Sequence, residues 1–455
     1  MEVSDAIVAL STPPGRSGIG VIRVTGSQTL ELLRSLLKEP DYNPVPRRAS
    51  LKALRDPLDG EVIDHSLVTY FKAPHSFTGE DVAEISCHGS PPLILSVVDA
   101  LLFYGARTAM PGEFTMRALS NGRLNLAQAE AVRDLIEAQT HAAVRQAARQ
   151  LGGELSARLQ PLKDSLVEII VPLESSLEFV EDDLPADITR DILQKLSQLA
   201  AQAEELANTF SRGRLIKDGL KVTLVGRPNV GKSSIFNKLL LSERAIVTDI
   251  PGTTRDTLNE VINIENVPVL LTDTAGVRTS SDRIEQLGIE RTRRAAVDAD
   301  LVIVVLDGSQ PLTAEDEQIL GEVADNRFII ALNKSDLDSF HPNLGFLQAD
   351  EMTLVPISAK TGAGLTSLRA AIMEPFSSSG LHESSFVITN ARHYDLLRRA
   401  AASIQSSVES FELKASEEII LADLYNALRF LGEITGETTP EDVLTEIFSA
   451  FCIGK

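Results

Sequence analysis

The chain has 455 residues, of which 43% are hydrophobic, and carries 43 Lys and Arg against 64 Asp and Glu, a formal net charge of −21. That length predicts about three domains. The acidic balance argues against a broad nucleic-acid surface, which needs concentrated cations. No apolar run approaches about 18 residues, so no membrane span is expected. Met1–Asp5 shows no basic-then-apolar leader, so no signal peptide is read. Two cysteines, Cys87 and Cys452, make no disulfide framework and sit in no metal-ligand spacing, which fits a reducing cytoplasm.

Residues near 6 to 120 read as α+β. Ala6–Leu10 and Ile19–Val24 have strand patterning, with a turn-rich Ser11–Gly18 between them. A helix is expected around Ser27–Leu37. Leu67–Phe71 and Val82–Cys87 read as further strands, and Pro92–Phe103 as a helix packed behind the second. Gly15–Gly18 spells G-x-x-G but reads as a turn, and Cys87-His88 as a strand end. From about Leu124 the pattern turns helical. Leu159, Leu162, Leu166 and Ile169 step by three and four, as do Ile192, Leu196, Leu199, Ala203 and Leu206. The acidic run Glu178–Asp183 reads as a solvated loop.

An α/β segment is expected from about Lys217 to Phe376. It opens with the strand Lys221–Val225, then Gly226-Arg227-Pro228-Asn229-Val230-Gly231-Lys232-Ser233, then a helix beginning at Ser234. This is G-x-x-x-x-G-K-S between a strand and a helix, a phosphate cradle. The amides through Val230, Gly231, Lys232, Ser233 and Ser234 converge on phosphate, helped by the helix N-terminus. Lys232 would reach the β- and γ-phosphates, and the Ser233 hydroxyl would ligate Mg²⁺.

Further nucleotide signatures follow in order. Thr253 and Thr254 lie in Gly252–Asp256, where Thr254 would complete Mg²⁺ coordination. Val267–Leu271 runs into Asp273-Thr274-Ala275-Gly276, whose Asp would hold Mg²⁺ through water and whose Gly amide would face γ-phosphate. Leu301–Leu306 is another buried strand. Phe328–Leu332 leads to Asn333-Lys334-Ser335-Asp336. Asp336 can accept from guanine N1 and N2, which adenine cannot match, and Asn333 reads the other edge of the base. The backbone of Ser358-Ala359-Lys360 would close over guanine O6. Together these are the signatures of a Ras-like GTPase. Val277 stands where small GTPases often carry the Gln that orients water, so another group must serve. Asp282, Glu285 and Glu290 are candidates, and Arg255, Arg278 and Arg283 could add positive charge. The carbonyl of Asn229 could help hold a monovalent cation in place of an arginine finger.

After residue 376 the helical pattern returns, with stripes through Tyr394, Leu397, Ala401, Ile404, Val408 and Phe411 and through Leu421, Leu424, Leu428 and Leu431. Thr439-Pro440 reads as a helix start. Helices on both sides imply an α/β unit inserted into one helical domain, although two separate helical domains would read the same.

Five stretches carry a resemblance to a known family. They are Thr12–Arg16, Phe77-Thr78-Gly79-Glu80-Asp81, Pro111-Gly112-Glu113-Phe114, Leu126–Ala131 and the ending Phe451-Cys452-Ile453-Gly454-Lys455. With them nearly the whole chain resembles the MnmE (TrmE) tRNA-modification GTPases. The resemblance implies a tetrahydrofolate-binding and dimerisation domain over residues 1–120. It implies a helical domain over 121–214 and 379–455, with a G domain over 215–378. It implies a cytoplasmic homodimer whose G domains meet when GTP and K⁺ bind. Asn229, Thr248, Ile250 and Thr253 then match K⁺ ligands, Ser233 and Thr254 match Mg²⁺ ligands, and Glu285 matches the glutamate that orients water. Arg23, Glu80, Arg123 and Lys455 match the folate site, where a carboxylate can take the pterin N–H and amino group bidentately. The family commonly has Lys at position 123, so Arg keeps the charge there but not the shape. The tail places Cys452 toward the folate. The implied function is wobble-uridine modification of tRNA with an FAD-binding partner, MnmG (GidA). A 5-formyl- or methylene-tetrahydrofolate is the implied one-carbon donor. A ribosome-assembly GTPase without modification chemistry shares the G-domain motifs but not the Phe451–Lys455 ending. A nucleotide-gated interaction protein whose N-terminal domain binds no folate is the remaining alternative.

Overall fold

The computed structural model describes residues 5–178, 186–243, 259–273, 298–340, 353–377 and 386–437, with 444, 447–449 and 451–454 near the C-terminus. Packing divides the chain into two compact units. One holds Met1–Arg133, Gln150–Leu196 and Ala402–Lys455; the other holds Asp134–Arg149 and Ser197–Ala401.

The first unit is built on a six-stranded sheet. Its strands are β1 (Ile7–Leu10), β2 (Ile19–Thr25), β3 (Ser50–Arg55), β4 (Val62–Phe71), β5 (Val82–His88) and β6 (Arg107–Thr108), in the order β3-β4-β5-β2-β1-β6. All neighbours are antiparallel except β1 and β6. Helices α1 (Thr29–Leu37) and α2 (Pro91–Phe103) supply Leu32, Leu33, Leu36, Val97 and Leu101 to a core with Val8, Ile22, Val24, Val68 and Ile85. Ser90-Pro91-Pro92 starts α2 as expected, since proline suits a first helical turn. The strand β3 escapes sequence reading. It is an edge strand, and with Leu51 exposed and Leu54 buried its apolar residues do not keep to one face.

Around β6 the unit turns on buried charge. Helix α3 (Glu113–Ser120) carries Glu113 and Arg117, both almost wholly buried. Arg117 donates to the Asp5 carbonyl and carboxylate at 2.9 Å, to Glu113 at 3.0 Å and to Glu80 at 3.1 Å. Arg107 pairs with Asp5 and with both oxygens of Glu113. The Arg107 hydrogen bond holds the Asp5 carboxyl below its usual range. Burial would raise the Glu113 carboxyl, but bonds from Arg107, the Met110 amide and Arg117 outweigh it and push it down. Helices α4 (Leu126–Glu137), α5 (His141–Leu151), α6 (Glu154–Glu178) and α7 (Ala186–Asn208) follow. The predicted stripe Leu159, Leu162, Leu166 and Ile169 is the buried face of α6, which packs on the helix Glu417–Thr435. Glu178, expected to open a loop, is the last residue of α6. Phe179–Asp183 and the Thr439-Pro440 pair lie outside the described residues.

The second unit carries another six-stranded sheet. It is formed by β7 (Leu220–Val225), β8 (Asn259–Ile264), β9 (Val267–Asp273), β10 (Leu301–Asp307), β11 (Phe328–Asn333) and β12 (Leu354–Pro356), in the order β12-β11-β10-β7-β9-β8. Only β8 is antiparallel to its neighbour. Every residue of β10 is buried. Leu301, Ile303 and Val305 face one core, while Val302, Val304 and Leu306 face the other, as in a parallel sheet covered on both sides. Edge strand β8, not expected from the sequence, joins β9 through Glu265-Asn266, both at positive φ, a two-residue hairpin turn. Helix α8 (Phe210–Asp218) precedes β7, and Gly219 then passes so near Pro268 that a Cβ would lie 2.5 Å from its carbonyl oxygen.

Two expectations follow from the Asp5–Glu113 cluster. Removing one charge with Glu113→Gln leaves buried guanidinium donors underpaired and should cost the first unit about 3–5 kcal/mol, read by urea unfolding at pH 7. Because both carboxyls have depressed folded values, their stabilisation is complete above about pH 5 and is lost as pH falls through those values. The urea midpoint should be flat from about pH 7 to about 5 and drop below about 4. Glu113→Gln should show a shallower acid limb.

Candidate functional site

In a parallel sheet every strand ends on the same edge, and ligands bind there, where strand order reverses. In the second unit that edge collects the Gly226 loop after β7, Asp273 at the end of β9, Asp307 at the end of β10, Asn333 at the end of β11 and Ser358 beyond β12. The loop lies between β7 and helix α9 (Lys232–Glu243), as predicted. Its path needs unusual backbone: φ is 148° at Gly226, 64° at Asn229 and 104° at Gly231. A Cβ on Gly226 would lie 2.4 Å from the Val305 carbonyl oxygen, and one on Gly231 would lie 2.1 Å from the Asn333 amide nitrogen. The Lys232 ammonium donates to the carbonyls of Gly226 at 2.6 Å and Arg227 at 2.9 Å, so it lies across the loop where phosphate charge would sit. Val230 is buried, while Asn229, Ser233 and Ser234 are exposed.

The base-side residues form one hydrogen-bonded set. Asn333 is buried; its Nδ2 donates to the Val230 carbonyl at 2.7 Å and its Oδ1 accepts from the Ala359 amide at 2.9 Å. It therefore clamps the phosphate loop to the Ser358 loop, with its second Nδ2 hydrogen still available to a base. Lys334, at φ 68°, donates to Asp307 at 2.6 Å. Burial would raise Asp307, but the bonds from Lys334 and Ser309 hold it below the usual carboxylate range. Asp336 is exposed and accepts from the Ser358 hydroxyl at 2.6 Å; that bond, with Lys360 nearby, lowers its carboxyl and keeps it an acceptor. Thr248, Ile250, Thr253, Thr254, Thr274, Ala275, Gly276, Asp282, Glu285, Glu290 and the arginines 255, 278 and 283 lie outside the described residues. Among the described residues no group of three or more His, Cys, Asp or Glu is placed to hold a metal. Mg²⁺ would be held here by the usual route, with few protein oxygens and the rest from phosphate and water.

In the first unit, Arg23, Glu80 and Arg123 gather around the loop 76–81. Arg23 pairs across strands with Glu84 at 2.8 Å, and its guanidinium lies 5.6 Å from the Phe77 ring centroid and 5.8 Å from that of Phe114. Thr25, on the same face of β2, donates to Glu80 at 3.1 Å. Arg123 lies beside Gly79, where a Cβ would stand 3.1 Å from its Cγ. Glu80 is mostly buried and is held by Arg117, a residue the sequence did not single out. A signal was present in Pro111–Phe114, one helical turn away, but the bonds to Asp5 span 112 residues. The tail docks on β1 and on helices α3 and α4 of the same unit. The Ser11 hydroxyl donates to the Gly454 carbonyl at 3.1 Å, and Phe448 and Phe451 pack with Ala129 and Met116. Gly454 has φ 97°, and a Cβ there would lie 2.3 Å from the Leu10 carbonyl oxygen. Lys455 lies outside the described residues; Cys452 is exposed.

The model of the TrmE N-terminus ("GTP-binding protein TrmE N-terminus") matches residues 6–123, and that of the MnmE helical domain matches 126–452. The chain belongs to the MnmE family. A tRNA modification GTPase MnmE of Koribacter versatilis is 44% identical, each chain covered in full. MnmE of Chloroflexus aurantiacus is 43% identical with the same coverage, and MnmE of Aquifex aeolicus is 42% identical over 99% of this chain and all of its own. As in MnmE generally, the chain thus joins a P-loop GTPase to an α+β N-terminal part and long helices. No helix among the described residues is long and apolar enough to cross a membrane.

Asn333→Ala would leave the Val230 carbonyl and Ala359 amide without their buried partner, at about 1–3 kcal/mol. GDP binding measured by titration calorimetry should weaken roughly tenfold to a hundredfold. Asp336→Asn exchanges an acceptor for a donor and should turn preference from guanine toward xanthine nucleotides, whose C2 oxygen accepts.

Proposed function

We propose that this chain hydrolyses GTP in a Mg²⁺- and K⁺-dependent cycle that serves modification of the wobble uridine of tRNA. It acts as a cytoplasmic homodimer with a flavoprotein partner, MnmG, and a tetrahydrofolate derivative as one-carbon donor. The observation that carries the GTPase half is the set of residues on one sheet edge: a Lys232-bearing phosphate loop clamped by Asn333 to a base loop with an acceptor at Asp336. The folate half rests on Arg123 lying beside Gly79, next to Glu80, with the tail docked on Ser11 of the same unit. We assign the folate and dimerisation domain to 1–120, the G domain to 215–378 and the helical domain to 121–214 with 379–455. A helical family model spanning 126–452 supports the inserted arrangement.

In this reading the loop amides and Lys232 neutralise the phosphates, and Ser233 with Thr254 ligates Mg²⁺, assisted by Asp273 through water. Asp336 selects guanine, and Ser358, Ala359 and Lys360 close over O6. Gly276 faces the γ-phosphate, Glu285 orients the attacking water, and Asn229 with Thr248, Ile250 and Thr253 holds K⁺. The cation supplies the positive charge that an arginine finger gives other GTPases. Arg23 and Lys455 complete the folate site.

GTP turnover in K⁺ against Na⁺ tests the cycle. We expect at least a roughly tenfold stimulation by K⁺. Asn229→Gly, which keeps the positive φ without strain, should abolish the difference, as should Asn229→Ala. Equal turnover in both salts would remove the K⁺ assignment.

A further inference from the structure

The Glu80 carboxylate has two unlike oxygens. Oε2 accepts from Arg117 Nη1 at 3.1 Å and lies 3.1 Å from Thr25 Oγ1, whose single proton is shared among Oε2, the Asp81 carbonyl at 3.1 Å and Thr78 Oγ1 at 2.7 Å. Oε1 accepts from no donor among the described residues and is not a buried atom left without a partner, so it opens to solvent. Arg117 cannot easily yield. It is 2% exposed, and the four N–H bonds of its two η nitrogens meet four acceptors: the Asp5 carbonyl, Asp5 Oδ1, Glu113 Oε1 and Glu80 Oε2. In this cluster three carboxylates, Asp5, Glu80 and Glu113, face two guanidiniums, Arg107 and Arg117. Asp5 and Glu113 each bond both guanidiniums; Glu80 bonds only one. The cluster's third negative charge thus belongs to Glu80, spread over both oxygens, one of which faces outward.

We propose that Arg117 is a positioning residue that commits Oε2 inward and presents Oε1 alone to the ligand. The inference rests on the folate reading above and refines it. A bidentate grip on the pterin would need both oxygens, and Oε2 is already turned inward onto Arg117, with the Thr25 hydroxyl in reach. A single oxygen set beside the ring N–H would also meet the repulsion of the 4-oxo acceptor. The exocyclic 2-amino group stands clear of that oxygen, so Oε1 takes its N–H. Arg117 and Thr25 thereby set the specificity for a 2-amino pteridine without touching it.

The test compares binding of 5-formyl-tetrahydrofolate and its 2-methyl analogue, which lacks the amino group, to the full chain by titration calorimetry. The unchanged chain should favour the amino compound by about 10- to 100-fold, the size of one charge-assisted hydrogen bond. In Arg117→Lys, which cannot span its four acceptors, the preference should fall below about threefold. Thr25→Val, nearly isosteric and outside the ion cluster, should lower it partway, and it decides the matter if Arg117→Lys fails to fold by circular dichroism. A loss of affinity equal for both ligands, with the ratio kept, would mark Arg117 as merely structural and overturn the proposal. Tight binding of both compounds by the unchanged chain, without preference, would leave the folate reading standing and remove the role of Oε1. Binding of neither compound would overturn the folate reading and this proposal together.

Discussion

A polar group taken out of water must find its partners inside the protein, and one such group organises each unit of this chain. In the first unit it is the guanidinium of Arg117, whose two η nitrogens are fully bonded while its buried Nε meets no acceptor among the described residues; in the second it is the amide of Asn333. Each bonds to segments far apart in sequence. Arg117 ties Asp5, the loop at Glu80 and the helix start at Glu113. Asn333 ties Val230 to Ala359. In both cases the bonded segments are the ones that carry candidate ligand contacts, so the groups that hold the fold also fix the spacing of the sites. The energetic asymmetry makes this arrangement unforgiving. A satisfied buried group contributes modestly, whereas loss of one partner exposes the whole desolvation penalty of the other.

The parts of this architecture legible in the sequence are those set by local rules. The phosphate loop is read from glycine spacing between an apolar strand and a helix, because backbone freedom and helix-end charge act over a few residues. The buried strand Leu301–Leu306 is read from an unbroken apolar run, because both of its faces are covered. The α6 stripe at Leu159, Leu162, Leu166 and Ile169 is read from its period. What stays hidden has a common cause. Edge strands β3 and β8 are short and mix polar residues with apolar ones, so neither shows an apolar run. The Arg117 cluster joins residues 4 to 112 positions apart, and a lone Arg in a short amphipathic helix resembles any surface charge. Arg23, singled out as a binding residue, is paired with Glu84 across the register of β2 and β5; pairing of that kind is visible only once strand neighbours are known.

The tail shows how far a terminal segment can be specified by backbone alone. Gly454 sits at φ 97° against the Leu10 carbonyl, and Gly112 sits at φ 68° where a Cβ would stand 2.9 Å from the Phe448 carbonyl oxygen. Two glycines far apart in the chain thus each leave room for a close backbone approach, and the Phe448–Phe451 ring pair packs with Ala129 and Met116. A larger side chain at either glycine would meet backbone, which cannot rotate away. The end of the chain is therefore brought to the strand that leads, through Ser11 and Val21, to the face carrying Arg23 and Thr25.

Asn229 brings these arguments to one position. Its φ of 64° lies in the left-handed region, where Asn is tolerated better than other residues with a Cβ. Alternating handedness along 226–231 turns successive amides toward one point, forming an anion-binding concavity. The residue type thus has a backbone reason that is independent of any cation. Ala at 229 changes two things at once, adding roughly 1 kcal/mol of left-handed strain as well as removing a carbonyl. Gly removes the carbonyl and keeps the conformation. The phosphate cradle depends on the backbone, whereas cation binding depends on the side chain. The two contributions at Asn229 are separable because glycine alone meets the first demand without the second.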